Sequence, residues 1–90
     1  MRADKKGVSR LLKTARGQID GILKMIENDH YCIDVLNQIL ACEAVLKRAS
    51  KDVLHEHISG CVAEAFQEND LDAQKEKMDE IAVLLDKLAK

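Results

Sequence analysis

The stretch that decides the fold is Tyr31–Phe66, YCIDVLNQILACEAVLKRASKDVLHEHISGCVAEAF. It contains no Pro, and no Gly before Gly60. Its apolar residues, among them Ile33, Leu36, Leu40, Val45, Leu46 and Val53, recur at helical spacing. They cover more than one stripe, the pattern of a helix packed on two sides. About 35 residues of helix run for roughly 50 Å. A compact 90-residue protomer is far shorter than that. The helix therefore either breaks near Gly60 or is supported by a partner subunit.

On the N-terminal side, Val8, Leu11, Leu12, Ala15, Ile19 and Ile22 predict a helix from about Lys5 to Glu27. Gly17 and Gly21 lie four apart, share a face of that helix and are read as a mark of close helix contact. Asn28-Asp29-His30 is a polar break, with Asn28 or Asp29 as N-cap for the long helix. On the C-terminal side, Gln67–Asp72 reads as a loop. A third helix follows, with Met78, Ile81, Ala82, Leu85 and Leu88 on its apolar face. The expectation is an all-α protein with three helices per protomer in a single domain over residues 1–90.

Composition agrees. Pro is absent, 2% of the residues are aromatic and 47% are hydrophobic, which favours aliphatic helix packing over a stacking platform for single-stranded nucleic acid. No apolar run is long enough for a membrane span, and no charged-then-apolar leader is present. The expected compartment is the cytoplasm, where three cysteines stay reduced rather than forming a disulfide framework. Net charge is −2, but it is unevenly spread. Residues 1–24 carry seven Lys/Arg against two Asp/Glu, whereas the remainder carries seven against fourteen. A basic N-terminal segment on an acidic body points to a local anion-binding surface, with a solvated helix face as the bland alternative.

Cys32, His57 and Cys61 carry the chemistry. His57 and Cys61 project from one helix face, one turn apart. Cys32 precedes His57 by about 37 Å of continuous helix. One chain then cannot bring all three to one ion, whereas two antiparallel chains can, twice over, around a two-fold axis near Val45-Leu46. Two thiolates and one imidazole make a soft three-coordinate set that favours Cu(I). Zinc prefers a fourth ligand; His30, beside Cys32, is the available one, and no base or nucleophile accompanies the set to support catalysis. Taken singly, each of these residues also has an ordinary reading: a buried apolar Cys or a solvated His. That ordinary reading is preferred for Cys42, His30 and His55.

The chain also carries Lys13-Thr14-Ala15-Arg16-Gly17-Gln18 and Asp20-Gly21, then Asp29-His30-Tyr31-Cys32-Ile33-Asp34-Val35-Leu36, Gln38-Ile39, Leu54-His55-Glu56-His57 and Cys61. In these motifs and their spacing, from about Ser9 to Phe66, it closely resembles the copper-sensitive operon repressors, the CsoR-type members of the CsoR/RcnR/FrmR group. The resemblance implies an antiparallel helical-bundle dimer that pairs into a tetramer, with Cu(I) held between subunits by Cys32, His57 and Cys61. The group's nickel/cobalt and formaldehyde sensors lack the second Cys of this set. By the same resemblance Tyr31 and Glu80 stand behind the ligands, and double-stranded operator DNA is bound through basic residues of the first two helices. Arg48 falls on such a position, Lys13 and Arg16 lie in the matching motif, and Leu11 stands where related chains often carry Arg, with Arg10 beside it. The implied function is a non-enzymatic Cu(I)-responsive transcriptional repressor that releases its operator when copper binds, derepressing copper efflux. The alternatives are a thiol- or persulfide-sensing repressor using Cys32 and Cys61, and a copper buffer with no DNA role.

Overall fold

The computed structural model describes residues 4–89, with the Cys61 side chain outside the described set. It contains α1 (Lys5–Glu27), α2 (Cys32–His57), a π-helical turn (Ile58–Val62), α3 (Ala63–Gln67) and α4 (Leu71–Ala89). Because α2, the π turn and α3 follow one another without interruption, they form a single long rod. The described residues thus make the three expected helical rods, and no strand is present among them.

Local chemistry sets the helix ends. Asp4 caps α1, its side chain accepting from the Lys6 N–H at 3.1 Å. Asn28 and Asp29 close α1 instead of opening α2. Asp29 adopts a left-handed φ of 54°, its N–H donates to the Ile26 carbonyl, and the His30 N–H reaches back to the Met25 carbonyl. That is the Schellman pattern, which an Asx residue tolerates better than most. The N-cap of α2 is Tyr31, with no side-chain bond to the helix. A second left-handed Asx residue, Asn69 at φ 59°, ends α3. Asp70 then accepts from the Asp72 and Ala73 N–H groups, so α4 begins at Leu71 and the loop is shorter than Gln67–Asp72. Gly60 does not break the rod; it lies inside the π turn.

α1 and α2 form an antiparallel hairpin with a seven-residue period. Val8, Ala15 and Ile22 are buried along α1, and Cys42 and Ala49 along α2, with Val35 one heptad earlier and partly buried. Val8 packs with Ala49; Ala15 and Ile22 pack with Cys42. This is the a-position seam of an antiparallel coiled coil. Cys42 points into it, with Sγ 3.7 Å from the Ala15 carbonyl, in keeping with its reading as a small buried residue. Val62, Ala65 and Ile81 are buried where the end of the rod meets α4. Gly17 and Gly21, read from sequence as close-contact positions, have open space where a Cβ would stand, so within the protomer they do not hold helices together.

The protomer is elongated. Its extents are 58 × 27 × 12 Å and its radius of gyration is 17.7 Å, against about 12 Å for a compact chain of this length. Its accessible surface is 6910 Å², where about 5300 Å² is usual for this mass. Many apolar side chains contribute to that surface. Leu12, Ile19 and Ile26 of α1 are about half exposed, as are Leu36, Leu40 and Leu46 of α2. Leu12, Ile19 and Ile26 each follow a seam residue of α1 by four. Ile39 and Leu46 occupy the equivalent positions on α2, and in an antiparallel pair such positions sit side by side. The hairpin therefore presents one continuous apolar face, grooved by cavities of about 570 and 270 Å³.

Candidate metal centre and nucleic-acid interface

His57 is the last residue of α2 and is half-buried. Its Nε2 lies 2.6 Å from Oε1 of Glu80 on α4, and Lys77 Nζ lies 3.9 Å from the other Glu80 oxygen. Nε2 is shielded from solvent and, although the Glu80 carboxylate is close, makes no aligned hydrogen bond with it. A ligating histidine characteristically turns its second nitrogen to a carboxylate, which fixes the tautomer. With Nε2 turned to Glu80, Nδ1 is the ring's remaining donor. Glu80, expected behind the ligands, thus falls beside His57 within the same protomer.

Immediately after His57 the backbone enters the π turn, which carries Cys61. π turns are rare and occur often at functional sites. This one keeps Cys61 within about one turn of His57 along the rod; the orientation of its thiol lies outside the described residues. Cys32 is the first residue of α2 and is exposed, with the exposed Tyr31 beside it. Because α2 is unbroken from Cys32 to His57, the two stand about 37 Å apart. Among the described residues, no three His, Cys, Asp or Glu side chains converge as a metal-binding group. Within one protomer Cys32 and His57 are therefore too far apart to reach one ion.

Cys32 and His57 both stand at heptad positions of the apolar face. Cys32 is in heptad register with Ile39, Leu46 and Val53, and His57 with Leu36. Cys32 and His57 place a thiol and an imidazole at the two ends of one apolar stripe, donors of the kind that suit Cu(I).

The expected DNA contacts are distributed differently. Arg10, Lys13, Arg16 and Arg48 are all exposed. Arg10 and Lys13 line a basic groove of about 720 Å³ together with Lys5 and Lys6, which sequence reasoning did not single out although they belong to the basic N-terminal excess. By heptad position Arg10 and Arg48 lie on the far side of their helices from the apolar stripe, whereas Arg16 lies near its edge in register with Leu23. Among the described residues Arg16 makes no ion pair with Asp20, so its guanidinium is not held within α1. Leu11 packs against the Val8–Ala49 cluster, which accounts for an apolar residue there. His30 and His55 are exposed.

A family model described as the metal-sensitive transcriptional repressor matches residues 4–87. The chain belongs to that family. Among curated relatives, it is 44% identical over 61 residues to the copper-sensing transcriptional repressor CsoR of Mycobacterium ulcerans, covering 68% of this chain and 52% of the relative. It is 40% identical over 67 residues to the CsoR of Bacillus subtilis, covering 74% of this chain and 66% of the relative. The match thus spans about half the length of the mycobacterial relatives. In structure it is similar to the Cu(I)-bound copper-sensing repressor CsoR of Geobacillus thermodenitrificans, with a TM-score of 0.85 and 31% identity over all of this chain and 94% of the other. The fold of this metal-sensitive repressor is therefore the CsoR fold. Among its described residues, no helix is long and apolar enough to cross a membrane.

Proposed function

We propose that this chain is a Cu(I)-responsive transcriptional repressor of the cytoplasm, and not an enzyme. Its apo form binds double-stranded operator DNA, and Cu(I) binding releases that DNA to derepress copper efflux or resistance genes. The observation that carries the reading is the division of one soft donor set between the two ends of a single unbroken helix. Cys32 at one end, and His57 with Cys61 at the other, make a complete ligand set only when a second chain runs antiparallel. Glu80 orients His57, and Tyr31 stands beside Cys32. The Cys32 thiolate of one chain, with the His57 imidazole and Cys61 thiolate of the next, would hold the ion and so tie the two chains together. The assembly is a homodimer that pairs further into a homotetramer.

DNA binding rests on Arg10, Lys13, Arg16 and Arg48, with Lys5 and Lys6 adding charge to the groove that Arg10 and Lys13 line. Phosphate contacts of this kind dominate affinity and make it salt-dependent. Copper acts on DNA only through a difference in affinity for the two states of the protein, typically about 1–3 kcal/mol of coupling. The test is to titrate the reduced protein with Cu(I) while following its binding to the DNA upstream of its own gene. Release at one Cu(I) per protomer is expected. Retention of the DNA at saturating Cu(I), or release by Zn(II) and not Cu(I), rejects the reading. Failure of the apo-protein to bind any such DNA favours a copper buffer instead.

A further inference from the structure

The exposed stripe of α2 has an interruption at its middle that the metal site does not use. From the seam, the stripe takes in the heptad positions of Cys32, of Leu36 and of Ile33, and it is apolar along almost its whole length. Glu43 and Lys47 are the charged residues that break it, and Ser50, in register with Glu43, adds a neutral hydroxyl. Glu43 is in register with Leu36 and lines the 270 Å³ apolar groove beside Ile39 and Leu46. Lys47 is in register with Leu40 and Leu54, one turn beyond Glu43. Both side chains are exposed, and neither has an ion-pair partner among the described residues, even with the other. Two opposite charges in an otherwise apolar contact surface are costly to bury unless something opposite answers them.

We propose that Glu43 and Lys47 form two symmetric ion pairs across a homodimer axis, Glu43 with the partner's Lys47 and Lys47 with the partner's Glu43, and that these pairs set the direction and register of the α2–α2 contact. The occupant of the apolar face is a second copy of this chain. The inference rests on the shared-site reading above, since the register that brings Cys32 to the partner's His57 puts the dyad near Val45. In that register Leu36 meets the partner's Leu54, and Glu43 meets the partner's Lys47. A slip of one heptad in one direction sets Glu43 against the partner's Leu54; in the other it sets Glu43 against the partner's Leu40 and Lys47 against the partner's Leu36. Parallel pairing places like charges together. Each alternative strands charge in an apolar contact or against its like, so the pair penalises the arrangements in which the metal half-sites fail to meet. The surface is also large enough: the excess accessible area over a compact chain is about 1600 Å², twice the roughly 800 Å² per partner of a standard interface.

The test uses the full chain in its reduced, copper-free form, so that association is read independently of copper binding. E43K gives a chain with two lysines at the dyad, and K47E one with two glutamates. Each homodimer then holds two like-charged contacts, whereas the mixed dimer holds two complementary ones. Native mass spectrometry and sedimentation should show each single variant associating at least about tenfold more weakly than wild type. An equimolar mixture should form the mixed dimer well beyond the statistical half, and E43K/K47E should recover wild-type association. Circular dichroism checks that each chain remains helical, and the double variant carries the test if a single one does not fold. Statistical mixing with wild-type association by the single variants overturns the proposal, as does a double variant that stays as weak as the singles. If complementarity holds but Cu(I) is not shared between chains, the interface stands and the copper reading alone fails.

Discussion

The proposed sharing of the metal site between subunits makes a stoichiometric prediction. Cys32→Ala and His57→Ala each remove one donor from both sites of a homodimer, so each variant alone should lose tight Cu(I) binding. α2 is continuous over 26 residues, and its two ends are about 37 Å apart. In a mixed dimer, one site therefore collects both lesions, the substituted first residue of α2 from one chain and the substituted last residue of α2 from the other. The remaining site then keeps its native Cys32, His57 and Cys61. With statistical mixing about half of the dimers are mixed, each with one intact site in place of two. Tight Cu(I) capacity should return to about one quarter of that of wild type on the same two-fold counting. The assay is competition against a Cu(I) chelator under anaerobic conditions, with native mass spectrometry to count mixed dimers. If mixed dimers form in that proportion and the mixture still holds no tight Cu(I), antiparallel sharing is wrong. If either single variant retains full capacity, the residue it lacks is not a ligand.

Glu80→Gln removes the carboxylate charge against His57 Nε2, and Cu(I) affinity should fall by about 10- to 100-fold, read by the same competition titration, while apo-protein binding to DNA stays close to wild type. Alanine at Arg10, Lys13 and Arg48 should each weaken operator binding and lower the salt slope by about one unit per lost phosphate contact, with Cu(I) affinity unchanged; an unaltered slope in the triple variant would exclude this surface. Ala15→Leu forces a large side chain into the seam, where Ala15 is 2% exposed, and should cost about 1–3 kcal/mol in urea unfolding, with Gly21→Ala, open to solvent, as the harmless control.

The helical architecture was legible because periodicity reports burial on each helix separately. Helical spacing marked the rod and its two-sided packing, whereas the seven-residue seam of Val8, Ala15 and Ile22 against Cys42 and Ala49, and with it the hairpin, emerges only from the structure. The helix ends were less legible. Asn28 and Asp29 suit the end of one helix and the start of the next, because short polar side chains serve both as N-caps and in left-handed closures. The Schellman closure of α1 prevails, and it depends on backbone bonds that no residue type announces. Asp70 was hidden for the same reason, within a run of polar residues any of which caps a helix. The π turn left no signature beyond Gly60. The contact between His57 and Glu80 joins elements distant in sequence, so it was reachable only by resemblance and not by spacing. Gly17 and Gly21 meet no neighbour within the protomer, because small residues permit a close approach without saying which chain supplies it.

The arrangement of faces constrains how metal and DNA communicate. On the proposed reading the metal donors sit at the two ends of the apolar stripe, so an occupied site would act on the relation between two chains, not on the interior of one. Arg10 and Arg48 belong to α1 and α2 of the same hairpin, whose small-residue seam of Ala15, Cys42 and Ala49 is buried and closely packed. A packed seam transmits displacement more readily than it absorbs it. The hairpin should therefore move as a body when its partner is tied at both ends, changing the spacing between the basic surfaces of the two chains while leaving each surface intact. DNA affinity in that arrangement depends on whether both surfaces reach phosphates at once. Loss of simultaneous reach forfeits several charge contacts together, which is how a metal that touches no basic residue can supply about 1–3 kcal/mol of coupling.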